Sequence, residues 1–347
     1  MTGRGAALLL LACGCVAHLQ RDGEPTEFLE PTTVGALNHQ GDYFEIDGAA
    51  HLLILDTLGR PELWREGGSA ASLTLSFIGM LRVFDLPSAP VRTPTYEPKL
   101  RLQLFRVAPL PAPAGEAPPF RIVAVELGIG HRSNGAEGCA LADHGPPGRN
   151  DFDCPALTTP PSSALNLKDG SFTTNYLEAG LWARFLRPLE GGGPLASAAT
   201  AGFWGEWHPP GPPPFMPAEM RTRYGSVVLH GQLLGELAVL RGRHWNLPVV
   251  GPVSIESVAR VTLAGQLHAD PAGGPFGGGS AELALLPRGP RGYGLGLFVR
   301  RLFGRDPLNI RFEQQLDAWM VGLIFDPNPI ERIPAPAGAA PSPGGEP

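Results

Sequence analysis

Apolar and polar residues alternate with a period of two in several parts of the chain. From Tyr96 to Leu104, Leu100, Leu102 and Leu104 fall on one side and Lys99, Arg101 and Gln103 on the other. Between Val227 and Val239 the odd positions are apolar or glycine, while the even ones include His230, Gln232 and Glu236. Ala259 to Ala269 sets Val261, Leu263 and Leu267 against Arg260, Gln266 and His268, and Tyr293, Leu295, Leu297 and Val299 oppose Gly294, Gly296 and Arg300. Such a period belongs to β-strands with two unlike faces. Beyond the first residues no run of roughly eighteen apolar residues occurs, which excludes a helical membrane span. Strands of about ten residues can still cross a bilayer, so the pattern predicts either a transmembrane antiparallel barrel or a soluble sandwich with one wet face.

Composition favours many strands joined by turns: 46 Gly, 39 Pro, 43% hydrophobic and only 17% charged residues among 347,. That length is enough to close a sheet of about twelve strands. The formal charge of −6 argues against a nucleic-acid partner,. Residues 1–12 resemble an export signal, with Arg4 as the n-region and Ala6 to Ala12 as the h-region,. Leu10-Leu11-Ala12-Cys13 resembles a lipobox that would acylate Cys13, and cleavage after Ala17 is the competing reading. The expected order is then a linker over 13–38, lipid-anchored where Cys13 is acylated, a barrel over 39–327, and a Pro/Gly/Ala-rich disordered tail over 328–347. In an exported chain, Cys139 and Cys154 within one loop predict a disulfide. Zinc ligation by that pair lacks a histidine pair at suitable spacing. His144, His208, His230, His244 and His268 are scattered without ligand spacing and read as lumen, loop or girdle residues. Trp204, Trp207, Trp245 and Trp319 read as interface-girdle aromatics.

The stretch carrying chemistry is Phe120 to Asn134. Val123, Val125, Leu127, Ile129, His131 and Ser133 share one face of that strand, so an imidazole and a hydroxyl lie on an apolar surface,. Asn175 sits on the corresponding side of the next predicted strand, Ser171 to Phe185, and a hairpin would bring it beside His131. Nucleophile, base and orienting group are the parts that acyl transfer needs. The bland reading is that Ser133-Asn134-Gly135 forms a turn.

His131-Arg132-Ser133-Asn134-Gly135 and Ser171-Phe172-Thr173-Thr174-Asn175 resemble the H-x-S-N-G and S-x-x-x-N segments of the outer membrane phospholipase A family of Gram-negative bacteria. The block from Ser88 to Pro98 is similar to that family's S-x-P-x-R-x-T-x-Y-E-P run, with Pro94 in place of a threonine. The resemblance implies a twelve-stranded barrel in the bacterial outer membrane, its active site towards the outer leaflet. It implies calcium-dependent hydrolysis of phospholipid acyl esters, with activity in a homodimer. Ser133 would be the nucleophile, His131 the base and Asn175 the orienter, with the backbone amide near Gly135 serving the oxyanion. Calcium would be held by Ser171 and the Ala136 carbonyl of one subunit and by Ser88 of the other. Thr174 and Tyr176 depart from the family's aromatic residue and arginine beside the asparagine. The loop between Gly135 and Ser171 is long and carries Glu137, Asp143, Asp151 and Asp153. A lipid A deacylase-like hydrolase and a non-catalytic barrel or porin are the alternatives.

Overall fold

The computed structural model describes residues 28–326 except 40–41, 59, 85–90, 113–117, 137–138, 142–164, 168–169, 189–194, 212–214, 217, 248–250, 289–293 and 309–310. Twelve antiparallel strands follow one another around a closed barrel. They are β1 (Thr32–His39), β2 (Asp42–Asp56), β3 (Gly68–Phe84), β4 (Val91–Pro109), β5 (Phe120–Ser133) and β6 (Thr173–Pro188), then β7 (Leu195–Trp207), β8 (Val227–Leu247), β9 (Gly251–His268), β10 (Phe276–Arg288), β11 (Gly294–Arg305) and β12 (Gln315–Asp326). The ring closes where β1 pairs with β12, Gly35 facing Gly322. Two short helices sit in connections, α1 (Pro61–Glu66) between β2 and β3 and α2 (Ala218–Tyr224) before β8.

The alternation resolves as an inverted protein. Val123, Val125, Leu127 and Ile129 expose 41–56% of their surface, whereas Arg82, Arg101 and Glu126 are buried to within 2%. Leucine, valine and phenylalanine on the outside with ion pairs inside is the arrangement of a chain whose solvent is hydrocarbon, and it removes the sandwich reading. No helix among the described residues is long and apolar enough to cross a membrane.

The lumen is packed. Arg82 pairs with Glu45 and, at 2.7 Å, with Asp306. Arg300 bridges Asp47 and Glu282 at 2.9 and 2.8 Å. At the end that carries α1, Leu63 and Trp64 join Leu58, Phe105, Phe120 and Ile122 in an apolar cap. At the opposite end Leu141, Leu165, Phe172, Met216, Tyr224 and Phe312 form a second one. A cavity of about 310 Å³ remains between them, among Glu126, Arg184, Glu236, Arg260, Glu282 and their neighbours.

Two expectations change. The barrel begins at Thr32, inside the stretch read as linker, because the outward residues of β1 are Val34, Ala36 and Asn38, a face too weakly apolar to announce a strand. The residues just before it enter the lumen: Phe28 stacks on Trp182 with ring centroids 4.7 Å apart, Arg101 donates to the Phe28 carbonyl at 2.8 Å, and Glu30 pairs with Arg101 and Lys99. Trp204 is no girdle residue. It occupies an inward position of β7, stacked between Trp182 and His230 at 5.2 and 5.0 Å, while Trp207 and Trp319 face outward, about half exposed. His208 and His268 are buried in the lumen. The side chains of Trp245 and His244 fall outside the described residues, as do His144 and the tail over 328–347.

The seam makes a sharp test. A Cβ on Gly322 would lie 2.0 Å from the Val34 carbonyl oxygen, whereas at Gly231 nothing lies within 4 Å. Gly322→Ala is expected to cost about 1–3 kcal/mol or more through overpacking and to abolish the compact, heat-modifiable band of the folded barrel on unheated gels. Gly231→Ala should leave that band intact.

Candidate functional site

The β5–β6 register places His131 directly opposite Asn175 and Ser133 opposite Thr173. His131 Nδ1 lies 2.8 Å from Asn175 Oδ1. With the amide oxygen as acceptor, the ring proton sits on Nδ1, and Nε2 keeps a lone pair. Ser133 lies two residues further along the same outward face, and on its other side it pairs with Tyr96 of β4. Around the three polar groups the wall is apolar and exposed: Tyr96, Leu127, Ile129 and Leu177. Among the described residues no hydrogen bond joins Ser133 Oγ to Nε2.

Ser133-Asn134-Gly135 does not make a hairpin turn. Asn134 is buried, and its side chain ties the two sides of the long β5–β6 connection together. Its Nδ2 donates to the Gly170 carbonyl at 2.7 Å, and its Oδ1 accepts from the amides of Ala136 at 3.1 Å and Phe172 at 2.9 Å. The backbone adds Asn134 N–H to Phe172 C=O at 3.0 Å. Gly135 follows with φ of 65°, left-handed backbone that glycine adopts without strain,. Asn134 therefore draws Ala136 and Ser171 to the mouth of one loop beside Ser133. Parity could have found it, since Asn134, like Arg132, takes an inward position in the motif.

Among the described residues no cluster of three or more His, Cys, Asp or Glu could hold a metal ion. A cation at this mouth would have to be taken by hydroxyl and carbonyl oxygens, the donors that Ser171 and Ala136 offer and that a hard ion accepts. Ser88 and the acids Glu137, Asp143, Asp151 and Asp153 lie outside the described residues, as do Cys13 and Cys154. Cys139 is buried and disulfide-bonded.

Behind the outward face stands a charged scaffold that the motif alone does not reveal. Arg132, between His131 and Ser133, points inward. It donates to Glu97 of β4 at 2.9 Å, to both oxygens of Glu206 of β7 at 3.0 and 3.1 Å, and to the Tyr224 hydroxyl of α2 at 3.0 Å. Its guanidinium also covers the Tyr176 ring, 5.2 Å from the centroid. Burial pushes the Tyr224 phenol up to about 12, so it remains protonated. Tyr176 donates to Glu97 at 2.5 Å, and its ring crosses Gly130, where a Cβ would come within 2.2 Å of Cζ. Thr174, on the other side of Asn175, bonds His208 Nδ1 at 3.1 Å. His208 and His230 make close contacts to Glu206 at 3.3 and 3.1 Å that fall short of aligned hydrogen bonds. The two residues flanking Asn175 thus lock β6 into the lumen while Asn175 itself faces out.

No protein-family model matches the chain, and no curated protein matches it either. Among solved structures it is similar to the outer membrane phospholipase A of Escherichia coli, at 13% identity over 90% of this chain and 97% of that one, with a TM-score of 0.44. It is also similar to the outer membrane phospholipase dimer of Salmonella typhi with bound calcium, at 15% identity over 90% and 97%, TM-score 0.45. The β domain of the Bordetella autotransporter BrkA follows at 12% identity over 85% and 97%, TM-score 0.36.

Arg132→Ala would leave Glu97 and Glu206 buried without their shared cation. The expected loss is about 3–5 kcal/mol of stability, read from urea unfolding of the refolded barrel, with Arg132→Lys recovering part of it. An unchanged midpoint for Arg132→Ala would remove the scaffold from the account of the site.

Proposed function

We propose that this barrel is a serine hydrolase of the outer membrane that cleaves acyl ester bonds of phospholipids entering sideways from the bilayer. The observation that carries the reading is the 2.8 Å contact from His131 Nδ1 to Asn175 on an apolar, outward face that also bears Ser133. A half-buried imidazole held by a neutral amide on an outward face of leucines and an isoleucine is costly to place there for packing alone,. It suits a base that must work where a full carboxylate would be poorly solvated.

In the reaction Ser133 Oγ adds to the ester carbonyl while Nε2 of His131 takes its proton. Asn175 holds the ring through Nδ1 and stabilises the imidazolium without accepting the proton. The carbonyl oxygen, now anionic, faces the backbone amide near Gly135. Collapse breaks the bond to the glycerol oxygen, which leaves with the proton from His131 as a lysophospholipid. Water, activated by the same imidazole, then releases the fatty acid and restores Ser133. A calcium ion at the loop mouth would supply charge to the oxyanion, with Ser171 and the Ala136 carbonyl holding it and Ser88 of a second copy completing the set. The two longest connections, β5–β6 and β7–β8, lie on the side of the site, which fits an orientation towards the outer leaflet,.

Neither alternative draws on a comparable observation. A lumen capped at both ends and filled with ion pairs does not favour a porin. The twelve-stranded ring does not favour a lipid A deacylase-like protein, for which fewer strands are expected.

Purified barrel in mixed micelles with calcium is expected to release fatty acid. Ser133→Ala should lower that rate by at least about 10³-fold and Asn175→Ala by on the order of 10²-fold, with folding unchanged on gels. A long-chain sulfonyl fluoride should label Ser133. Activity that survives in Ser133→Ala would end the proposal.

Asn134→Ala is expected to raise the calcium concentration for half-maximal release severalfold, because the loop mouth loses three side-chain bonds. If the rate falls while the calcium concentration for half-maximal release stays the same, Ala136 and Ser171 are not the ion's ligands.

A further inference from the structure

The outward face of β4, β5 and β6 has a second charged feature at the end far from His131. Arg106, Arg121 and Arg187 all point outward and are exposed. Register makes them neighbours: Arg121 faces Ala108 and Phe185, so Arg106 and Arg187 are each its diagonal partner across a strand pair,. None forms an ion pair with an acid among the described residues. Arg106 reaches only Ser69 Oγ, at 3.4 Å, and Glu62 and Glu66 of α1, exposed at the same end, pair with none of the three. Three like charges at the rim of an apolar wall repel one another unless an anion lies between them.

Their depth identifies the anion. Arg121 and His131 stand on the same face of one strand, ten residues apart. At about 3.3 Å per residue that is roughly 33 Å along the strand, and a tilt near 40° reduces it to about 25 Å of membrane thickness, the height of the apolar band of such barrels. With the site at one boundary of the hydrocarbon, the arginines stand at the other. Immediately inboard of them lie Leu104, Val123 and Phe185, 47%, 41% and 49% exposed, a surface against which acyl chains can lie. We infer that Arg106, Arg121 and Arg187 form a binding site for the headgroup of an anionic phospholipid in the leaflet opposite the catalytic face. A free phosphate ion would use the guanidinium groups but not the apolar surface above them. The inference rests on the barrel crossing a bilayer and not on the proposed chemistry.

Native mass spectrometry of the full-length barrel, released from detergent with equimolar ether-linked phosphatidylglycerol and phosphatidylcholine, tests this with lipids that contain no ester to cleave. Phosphatidylglycerol is expected to be retained preferentially, with the preference falling roughly fivefold for each arginine removed. It should vanish in Arg106→Gln/Arg121→Gln/Arg187→Gln and persist in the corresponding triple lysine variant. If the triple glutamine variant does not fold, the three single substitutions carry the same graded expectation. Millimolar inorganic phosphate should not displace the lipid. Equal retention of the two lipids, a preference indifferent to the glutamine substitutions, or displacement by phosphate would each overturn the assignment.

Discussion

A strand surrounded by hydrocarbon has nowhere to send an unpaired N–H or C=O, and each group left bare costs several kcal/mol. Closure of the ring through β1 and β12 answers that constraint, and the rest of the architecture follows from it. Once every backbone group is satisfied sideways, side chains have only two directions. Those facing out must suit lipid, and those facing in must fill a narrow polar core with one another. The ion pairs of the lumen are the consequence: Arg82, Arg101, Arg260 and Arg300 each meet carboxylates from other strands. So are the glycines at the seam, where backbones approach too closely for a Cβ.

The same two-direction rule builds the site. On β5 and β6 an inward residue alternates with an outward one, so His131, Ser133 and Asn175 can stand in the lipid-facing wall while Arg132, Thr174 and Tyr176 anchor their backbones from behind. The anchors are long-range, with Glu97 and Glu206 clamping Arg132, the residue between His131 and Ser133. Three polar side chains in a lipid-facing wall are thereby held on a rigid support, the condition under which preorganised geometry survives.

Much of this was legible in the chain. Period-two alternation marked β4, β5, β8, β9 and β11, and counting by twos put His131, Ser133 and Asn175 on one face before any pairing was known. What stayed hidden depended on partners far away in sequence. The outward face of β1 carries only Val34, Ala36 and Asn38, so nothing marked it as a strand until β12 paired with it. Trp204 was assigned to the girdle by residue type, although its even position on β7 already pointed it inward. Asn134 read as half of a turn dipeptide because its true partners, Gly170 and Phe172, lie across a long connection. No local pattern joins Arg132 to Glu206 and Tyr224.

The strap from Phe28 to Pro31 works as an internal tie. Its partners come from far along the chain: His51 on β2, Lys99 and Arg101 on β4, Trp182 on β6. Four residues ahead of the first strand thus gather side chains from three separate strands inside the barrel. Deleting them would leave Lys99 and Arg101 short of a carboxylate and Trp182 without its stacked ring, so the cost would fall on the lumen rather than on the wall.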